Sequence, residues 1–326
     1  MHTARLTRSA TLLGRNSLKM SRMTSRSASS ATLPVSTLLN AMEASALQSS
    51  GSAVFVDGSY HQNARSGHEE YLQEHIPGAR HFDLDSVCDM DTALPHMMPS
   101  EQRWTAAMDG FGISADDHVV VYTHKDAVSG PRVWYLFKAF GHARVSLLDG
   151  GIEGWKCGNN AVSSASTDSP PTFQKTEGGG YQGAKLNTKM VASKADVQQA
   201  METGIAQILD ARSEARFRGA VPEPRAGLVS GSIPGSLSLP YSELCADGDS
   251  TTFASREHIR DKLRDSGVIF GSKCVSTCGS GVTACYALVG MELMGKPLED
   301  MPIYDGSWTE WGAEGTDTPK MTSADW

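Results

Sequence analysis

The sequence predicts an α/β protein of two tandem domains, each a mainly parallel sheet with helices on both faces. Three observations predict it. The chain repeats itself once: Ala53-Val-Phe-Val-Asp57 returns as Ala206-Gln-Ile-Leu-Asp210, and His75-Ile-Pro-Gly-Ala79 as Ser232-Ile-Pro-Gly-Ser236. Further on, Val119-Val-Val-Tyr-Thr123 returns as Cys274-Val-Ser-Thr-Cys278, and Leu148-Asp-Gly-Gly-Ile-Glu-Gly-Trp155 as Tyr304-Asp-Gly-Ser-Trp-Thr-Glu-Trp311. The four offsets, 153, 157, 155 and 156 residues, are too constant for chance and mark a duplicated domain. Within each copy, short β-rich runs alternate with helical segments, the alternation that yields a parallel sheet. Finally, 326 residues suffice for two domains of about 100–200 residues each.

In chain order, residues 1–33 read as a leader, 34–157 as the first domain, 158–186 as a linker rich in Ser, Gly, Pro and Thr, 187–316 as the second domain and 317–326 as a tail. In each copy a central strand runs through a short loop into an apolar segment, 132–140 in the first and 282–294 in the second, and both read as packed helices. Thr123 and Cys278 fall at corresponding strand ends, where ligands bind in such sheets. Of the two, only Cys278 is a nucleophile, so the first copy is expected to be catalytically silent.

Composition narrows the function. The chain is 40% hydrophobic and 20% charged, in the range of globular proteins, and no apolar run approaches the roughly 18 residues of a membrane span. A formal charge of −8 disfavours nucleic acid as a partner. That charge is uneven: six of the 29 Lys and Arg (Arg5, Arg8, Arg15, Lys19, Arg22 and Arg26) precede the first acid, Glu43, leaving 23 against 37 acids. An Arg- and Ser-rich, acid-free start is the pattern of a mitochondrial transit peptide. Initiation at Met20 or Met23 would instead give a cytosolic form. Six cysteines without zinc-type spacing or a secretory signal are expected to be reduced thiols, and no metal or organic cofactor is expected.

The chemistry concentrates in Ser276-Thr-Cys-Gly-Ser-Gly-Val-Thr-Ala284. A strand ends, a Gly-rich loop opens with Cys278, and a helix comes next. Gly279 and Gly281 permit backbone angles that a side chain forbids, so successive N–H groups can turn inward as an anion nest at the helix's positive end. Such a nest stabilises a thiolate and cradles a terminal persulfide on the same sulfur. Cys274, inside the strand, and Cys285, in the helix, read as packing.

The repeat plan resembles the rhodanese superfamily, and Cys278-Gly-Ser-Gly-Val-Thr-Ala284 resembles the loop of its 3-mercaptopyruvate sulfurtransferase branch. Thiosulfate-preferring members carry basic residues after the cysteine, where this chain has Gly279 and Ser280. Tyr71-x-x-x-His-Ile-Pro-Gly-Ala79 and Tyr304-Asp-Gly-Ser-Trp-Thr-Glu-Trp311 match further family motifs, and the resemblance spans about residues 34–315. It implies two rhodanese-like domains. It also implies Cys278 as the sulfur carrier, with Arg216 and Arg225 binding a keto-acid carboxylate and Gly279, Gly281, Val282 and Thr283 completing the substrate site. Ser280, His96 and Asp85 become a proton relay across the domain interface. The implied partners are a small-molecule sulfur donor and, as acceptor, thioredoxin, a small thiol or cyanide.

Other conspicuous residues read as structural: His75 and Asp149 in the silent copy, Asp305 as a cap of the helix after it, Arg212 in an ion pair, and Trp308 and Trp311 as core or domain-interface aromatics. Ser232, where the motif often has His, is expected to alter a contact of the fold. Three rivals stand beside this reading. A thiosulfate-preferring enzyme would use the same nucleophile, and a noncatalytic persulfide carrier would not need the arginine pair or the relay. A cysteine phosphatase would need Arg six residues after the cysteine, and position 284 is Ala.

Overall fold

The computed structural model describes Met1, residues 35–164, Tyr181 and residues 183–326. Residues 2–33 of the leader expected over 1–33, and residues 165–180 and 182 of the linker expected over 158–186, lie outside the described residues.

In the first copy β1 (Leu38–Leu39), α1 (Ala41–Ser49), β2 (Val54–Asp57), α2 (Gly67–Gln73) and β3 (Arg80–His81) are followed by α3 (Glu101–Phe111), β4 (Val119–Tyr122), α4 (Gly130–Ala139), β5 (Val145–Leu148) and α5 (Gly151–Cys157). The strands form one parallel sheet in the order β1-β5-β4-β2-β3. The second copy has β6 (Val191–Ala192), α6 (Lys194–Thr203), β7 (Ala206–Asp210), α7 (Glu214–Phe217) and β8 (Leu237–Ser238). An antiparallel hairpin, β9 (Cys245–Ala246) and β10 (Asp249–Phe253), precedes α8 (Arg256–Asp265), β11 (Lys273–Thr277), α9 (Ala284–Leu293), β12 (Ile303–Tyr304) and α10 (Ser307–Trp311). Its parallel sheet, β6-β12-β11-β7-β8, repeats the order of the first.

Local chemistry sets these boundaries. Asn40 and Ser193 begin α1 and α6 with capping boxes, while Ser66, Ser100 and Ser255 cap α2, α3 and α8 through their hydroxyls. The central strands β4 and β11 each lead into a helix of another kind. α4 and α9 are buried on nearly every face, as a helix that is apolar all round must be. They pack against each other, so one hydrophobic cluster runs from Trp104 and Phe137 in the first copy to Tyr286 and Leu288 in the second.

The domains are stapled at more than this core. The β9–β10 hairpin lies against the silent copy: Thr251 O accepts from Gly150 N at 2.9 Å, and Asp149 Oδ1 accepts from Phe253 N at 2.8 Å. Thr123, the silent counterpart of Cys278, is buried beneath this contact, in a hollow of about 10 Å³ that Thr251 and Phe253 help to line. His75 stacks on Tyr71 with ring centroids 4.4 Å apart, and its Nδ1 lies 2.8 Å from the Tyr71 carbonyl. At the matching position Ser232 is buried, and its hydroxyl has no partner among the described residues, so the stacking contact is lost in the second copy. Tyr181, at the described end of the linker, is buried with its hydroxyl 2.9 Å from His142 Nδ1. The tail is docked too: Met321 pairs with Ser232, and Trp326 packs on Phe217.

Candidate active site

β11 ends at Thr277, buried by its neighbours β7 and β12, and Cys278 opens the loop to α9. α10 holds that loop from one side. Cys278 O accepts from Trp308 N at 3.0 Å, Gly279 O accepts from Thr309 N at 2.9 Å and from Thr309 Oγ1 at 2.7 Å, and Cys278 N donates to Ser307 Oγ at 3.3 Å. With these carbonyls turned toward α10, the N–H groups of 279–283 are left for the inside of the loop and find no acceptor among the described residues. α9 itself starts without a side-chain cap. This is an anion nest at a helix start.

The two glycines of the loop act differently from each other. Gly281 sits at φ 77°, in the left-handed region. Gly279 does not, contrary to the expectation that both glycines supply unusual angles. What Gly279 provides is room, since a Cβ there would lie 3.1 Å from Arg216 Nη2.

Arg216 and Arg225 line one cleft of about 410 Å³ with Gly279 and Thr283 of the loop and Tyr60 and Gln62 of the first copy. Arg216, on α7, is tethered by Glu223, whose Oε2 is 2.6 Å from Nη2 and whose Oε1 is 3.2 Å from Nε. Glu223 is buried and also takes Arg212 Nη1 at 2.9 Å. Arg212 is the structural member: fully buried, paired with Asp210 at 2.6 Å and lying over the Trp308 ring at 4.3 Å. Arg225 has no hydrogen-bond or ion-pair partner among the described residues. It is therefore the guanidinium available to a ligand.

From the first copy His96 reaches the loop. Its Nδ1 is 3.0 Å from Ser280 Oγ and its Nε2 3.1 Å from Asp85 Oδ1. His96 and Ser280 are 3% and 2% exposed, while Asp85 faces solvent. Burial, then the nearby Arg132 and Arg225 guanidiniums, pushes the His96 imidazole down to about 4. His96 is therefore neutral at pH 7, and its 3.1 Å approach to Asp85 is a close polar contact rather than an ion pair. With the ring proton on Nε2, on the side of Asp85, Nδ1 accepts from the Ser280 hydroxyl. Tyr60 stands edge-on to the imidazole with centroids 4.9 Å apart.

One further placement departs from expectation. Asp305 does not cap α10, which has no side-chain cap; its Oδ1 pairs with Arg132 Nη2 at 2.7 Å and its Oδ2 accepts from Met98 N at 2.6 Å. The fully buried guanidinium of Arg132 on α4 needs a countercharge and draws the carboxylate across the interface. Of the two places open to Trp308 and Trp311, both take the core of the second copy. Glu223, Arg132 and Tyr60 were not singled out from sequence. The available signals were an arginine inside the apolar helix run and a carboxylate between two prolines next to Arg225.

All six cysteines are free. Burial pushes the Cys245 and Cys285 thiols up to about 12 and raises that of Cys274, as suits packing residues.

Two depressed histidines make stability depend on pH. His96 and His118 are both held at about 4 in the fold by burial first, against an ordinary 6.5. Between those values the unfolded chain binds more protons, so stability is lost as pH falls from 6.5 toward 4. For His96 the loss is at most about 3 kcal/mol. Urea unfolding at pH 7 and at pH 4.5 should show the fall, and His96→Gln should make it shallower. An unchanged slope in His96→Gln would contradict the neutral, buried assignment.

A model of the rhodanese-like domain matches residues 40–157 and again 193–314. The chain is 39% identical over 250 residues to 3-mercaptopyruvate sulfurtransferase of Rattus norvegicus, covering 76% of this chain and 80% of the rat protein. It is 38% identical over 268 residues to thiosulfate/3-mercaptopyruvate sulfurtransferase 1, mitochondrial, of Arabidopsis thaliana, covering 76% and 67%. The crystal structure of SseA from Escherichia coli, described for its rhodanese fold, superposes with a TM-score of 0.72 at 31% identity, covering 84% of this chain and 99% of SseA.

Proposed function

The chain belongs to the rhodanese-like family, and from that premise we propose that it is a sulfurtransferase that takes sulfur from 3-mercaptopyruvate onto Cys278 and passes it to a thiol. One observation carries the reading beyond the family: His96 of the copy without a nucleophile reaches Ser280, two residues from Cys278, at the cleft that Arg225 lines with an uncommitted guanidinium.

The cycle has two halves. Cys278 thiolate attacks the donor's sulfur, forming an S–S bond as the donor's C–S bond breaks, and the electron pair leaves as the enolate of pyruvate. Arg216 and Arg225 hold the carboxylate and carbonyl through charged hydrogen bonds that strengthen as the enolate develops. Neutral His96 accepts the Ser280 hydroxyl proton, so Ser280 Oγ can take the donor's thiol proton, and the same path returns a proton to the enolate carbon. Asp85 stabilises the transient imidazolium. An acceptor thiolate then attacks the outer sulfur of the persulfide and releases Cys278 thiolate. No oxidant is consumed and no charge is stranded.

Ser280→Ala should lower kcat with mercaptopyruvate by about 10²-fold or more, the usual worth of a general acid–base group, and shift KM little. Transfer from an already formed persulfide to cyanide should be unaffected by that change. Steady-state rates with mercaptopyruvate and thiosulfate side by side test the donor. A preference for mercaptopyruvate is expected because no basic residue stands directly after Cys278 to meet a dianion, and a preference for thiosulfate would overturn it. Thioredoxin and small thiols are the acceptors proposed. We also place the protein in mitochondria, on the Arg-rich, acid-free start. A reporter fused to residues 1–33 that stays in the cytosol would contradict this.

A further inference from the structure

We propose that Arg132, on the central helix of the silent copy, is a positioning residue of the active site: it clamps His96 against Ser280 and backs the Gly281 turn of the Cys278 loop. The proposal rests on the reading of Asp85, His96 and Ser280 as the relay.

The geometry is unusual in three respects. Arg132 is fully buried, and a single nitrogen, Nη2, serves both the His96 carbonyl at 2.6 Å and Asp305 Oδ1 at 2.7 Å. The other oxygen of Asp305 takes Met98 N at 2.6 Å. The backbone is thus held at His96 and again at Met98, by one ion pair with a member in each copy. Second, His96 sits at φ 60°, a left-handed conformation that a non-glycine residue keeps only where its surroundings over-determine it. The Arg132–Asp305 pair is that over-determination. Third, the same pair presses on the nucleophile loop. A Cβ at Gly281 would lie 3.1 Å from Asp305 O and 3.5 Å from Arg132 Nη1. One buried pair therefore fixes both partners of the His96–Ser280 hydrogen bond, which no group of the second copy alone does.

Stability alone does not account for the arrangement. Nε and Nη1 of Arg132 are buried with no oxygen or nitrogen partner among the described residues and only the Cys285 thiol near the guanidinium, and replacing such a pair by apolar side chains is often neutral or stabilising. What the charge does is electrostatic as well as geometric. His96 is faced by Asp85 and Tyr60 from its own copy, by Arg132 from α4 with Asp305 behind it, and by Arg225 and Ser280 from the second copy. The Cys88 thiol lies by its backbone. Arg132 and Arg225 both oppose a positive charge on the imidazole, which keeps the ring neutral and able to accept from Ser280.

The test is Arg132→Met combined with Asp305→Asn, which removes the pair without leaving a buried charge alone. The expected result is a fall in kcat with mercaptopyruvate of about 10- to 100-fold, the effect of an ångström-scale misplacement of a reacting group, with KM within about threefold. The His96 imidazole, followed by NMR without substrate, should titrate upward toward its ordinary range. Arg132→Lys, which restores the charge and one donor, should recover the low titration and most of the lost kcat. If the double variant fails to fold, Arg132→Gln carries the same two expectations, because it keeps a donor amide and removes the charge. A kcat within twofold of wild type, or a lowered kcat with the His96 titration unmoved, would overturn the proposal. Because the titration is read without donor, a wild-type chain inactive on mercaptopyruvate would sink the proposed function while leaving the clamp measurable.

Discussion

Cys278→Ser should abolish sulfur transfer from mercaptopyruvate, with turnover reduced on the order of 10⁴-fold or more, the loss typical of removing the atom that forms a covalent intermediate. The substitution keeps the shape of a side chain that is 2% exposed, and the loop is held through Cys278 backbone atoms, by Ser307 and Trp308, which the change does not touch. The fold and its melting temperature should therefore survive. No neighbouring thiol can substitute. Cys285 and Cys245 are packed inside with their thiols pushed up to about 12, burial also raises the thiols of Cys274 and of Cys88 beside the His96 backbone, and the exposed Cys157 belongs to the silent copy. Residual turnover near wild type would mean that sulfur does not travel through this loop.

Loss of the cleft arginines is the second large effect. Arg225→Ala should lower kcat/KM for mercaptopyruvate by about 10²-fold, since a charged hydrogen bond is worth about 1.5–3 kcal/mol. Its guanidinium has no partner among the described residues to absorb the change, so the whole loss falls on the ligand. Arg216→Ala should be comparably severe for a different reason. Arg216 pairs with the buried Glu223, and removing it leaves that carboxylate with only Arg212 to offset it near the incoming one. Part of the Arg225 loss should appear in kcat, because this cation also holds the His96 imidazole down. Equal kcat/KM in wild type and both variants would favour a chain that only carries persulfide received from another protein.

The parts of this site that the sequence displayed are those with a local signature. Cys278 stands at the end of an apolar strand and the start of a glycine loop, and the loop's anion nest is a consequence of that order alone. The duplication was visible because a parallel sheet repeats its strand and loop order, and the two central strands do occupy matching places in two five-stranded sheets. Arg216, Arg225 and the Asp85–His96–Ser280 set came from family resemblance; the structure brings Asp85, His96 and Ser280 within hydrogen-bond reach and both arginines into one cleft.

What could not be read is whatever depends on contacts between irregular or distant segments, whether across the two copies or within one. Asp305 looks like a helix cap in the chain, and only the packing of α4 on α9 reveals the guanidinium that draws it away. Glu223 lies seven residues beyond Arg216 on an irregular segment, where no periodicity announces a contact. The β9–β10 hairpin, whose strands are short and polar, gave no strand signal, yet it covers the silent site at Thr123.

The central claim, that sulfur resides on Cys278 between the two half-reactions, is tested most directly by mass. The wild-type protein is incubated with mercaptopyruvate and no acceptor, digested without reductant, and the peptide bearing Cys278 is weighed beside those of the other five cysteines. A gain of one sulfur atom on the Cys278 peptide alone, accompanied by pyruvate and lost on adding a thiol or cyanide, is the predicted result. Pyruvate released with no sulfur on Cys278, or sulfur found on another cysteine, would contradict the account.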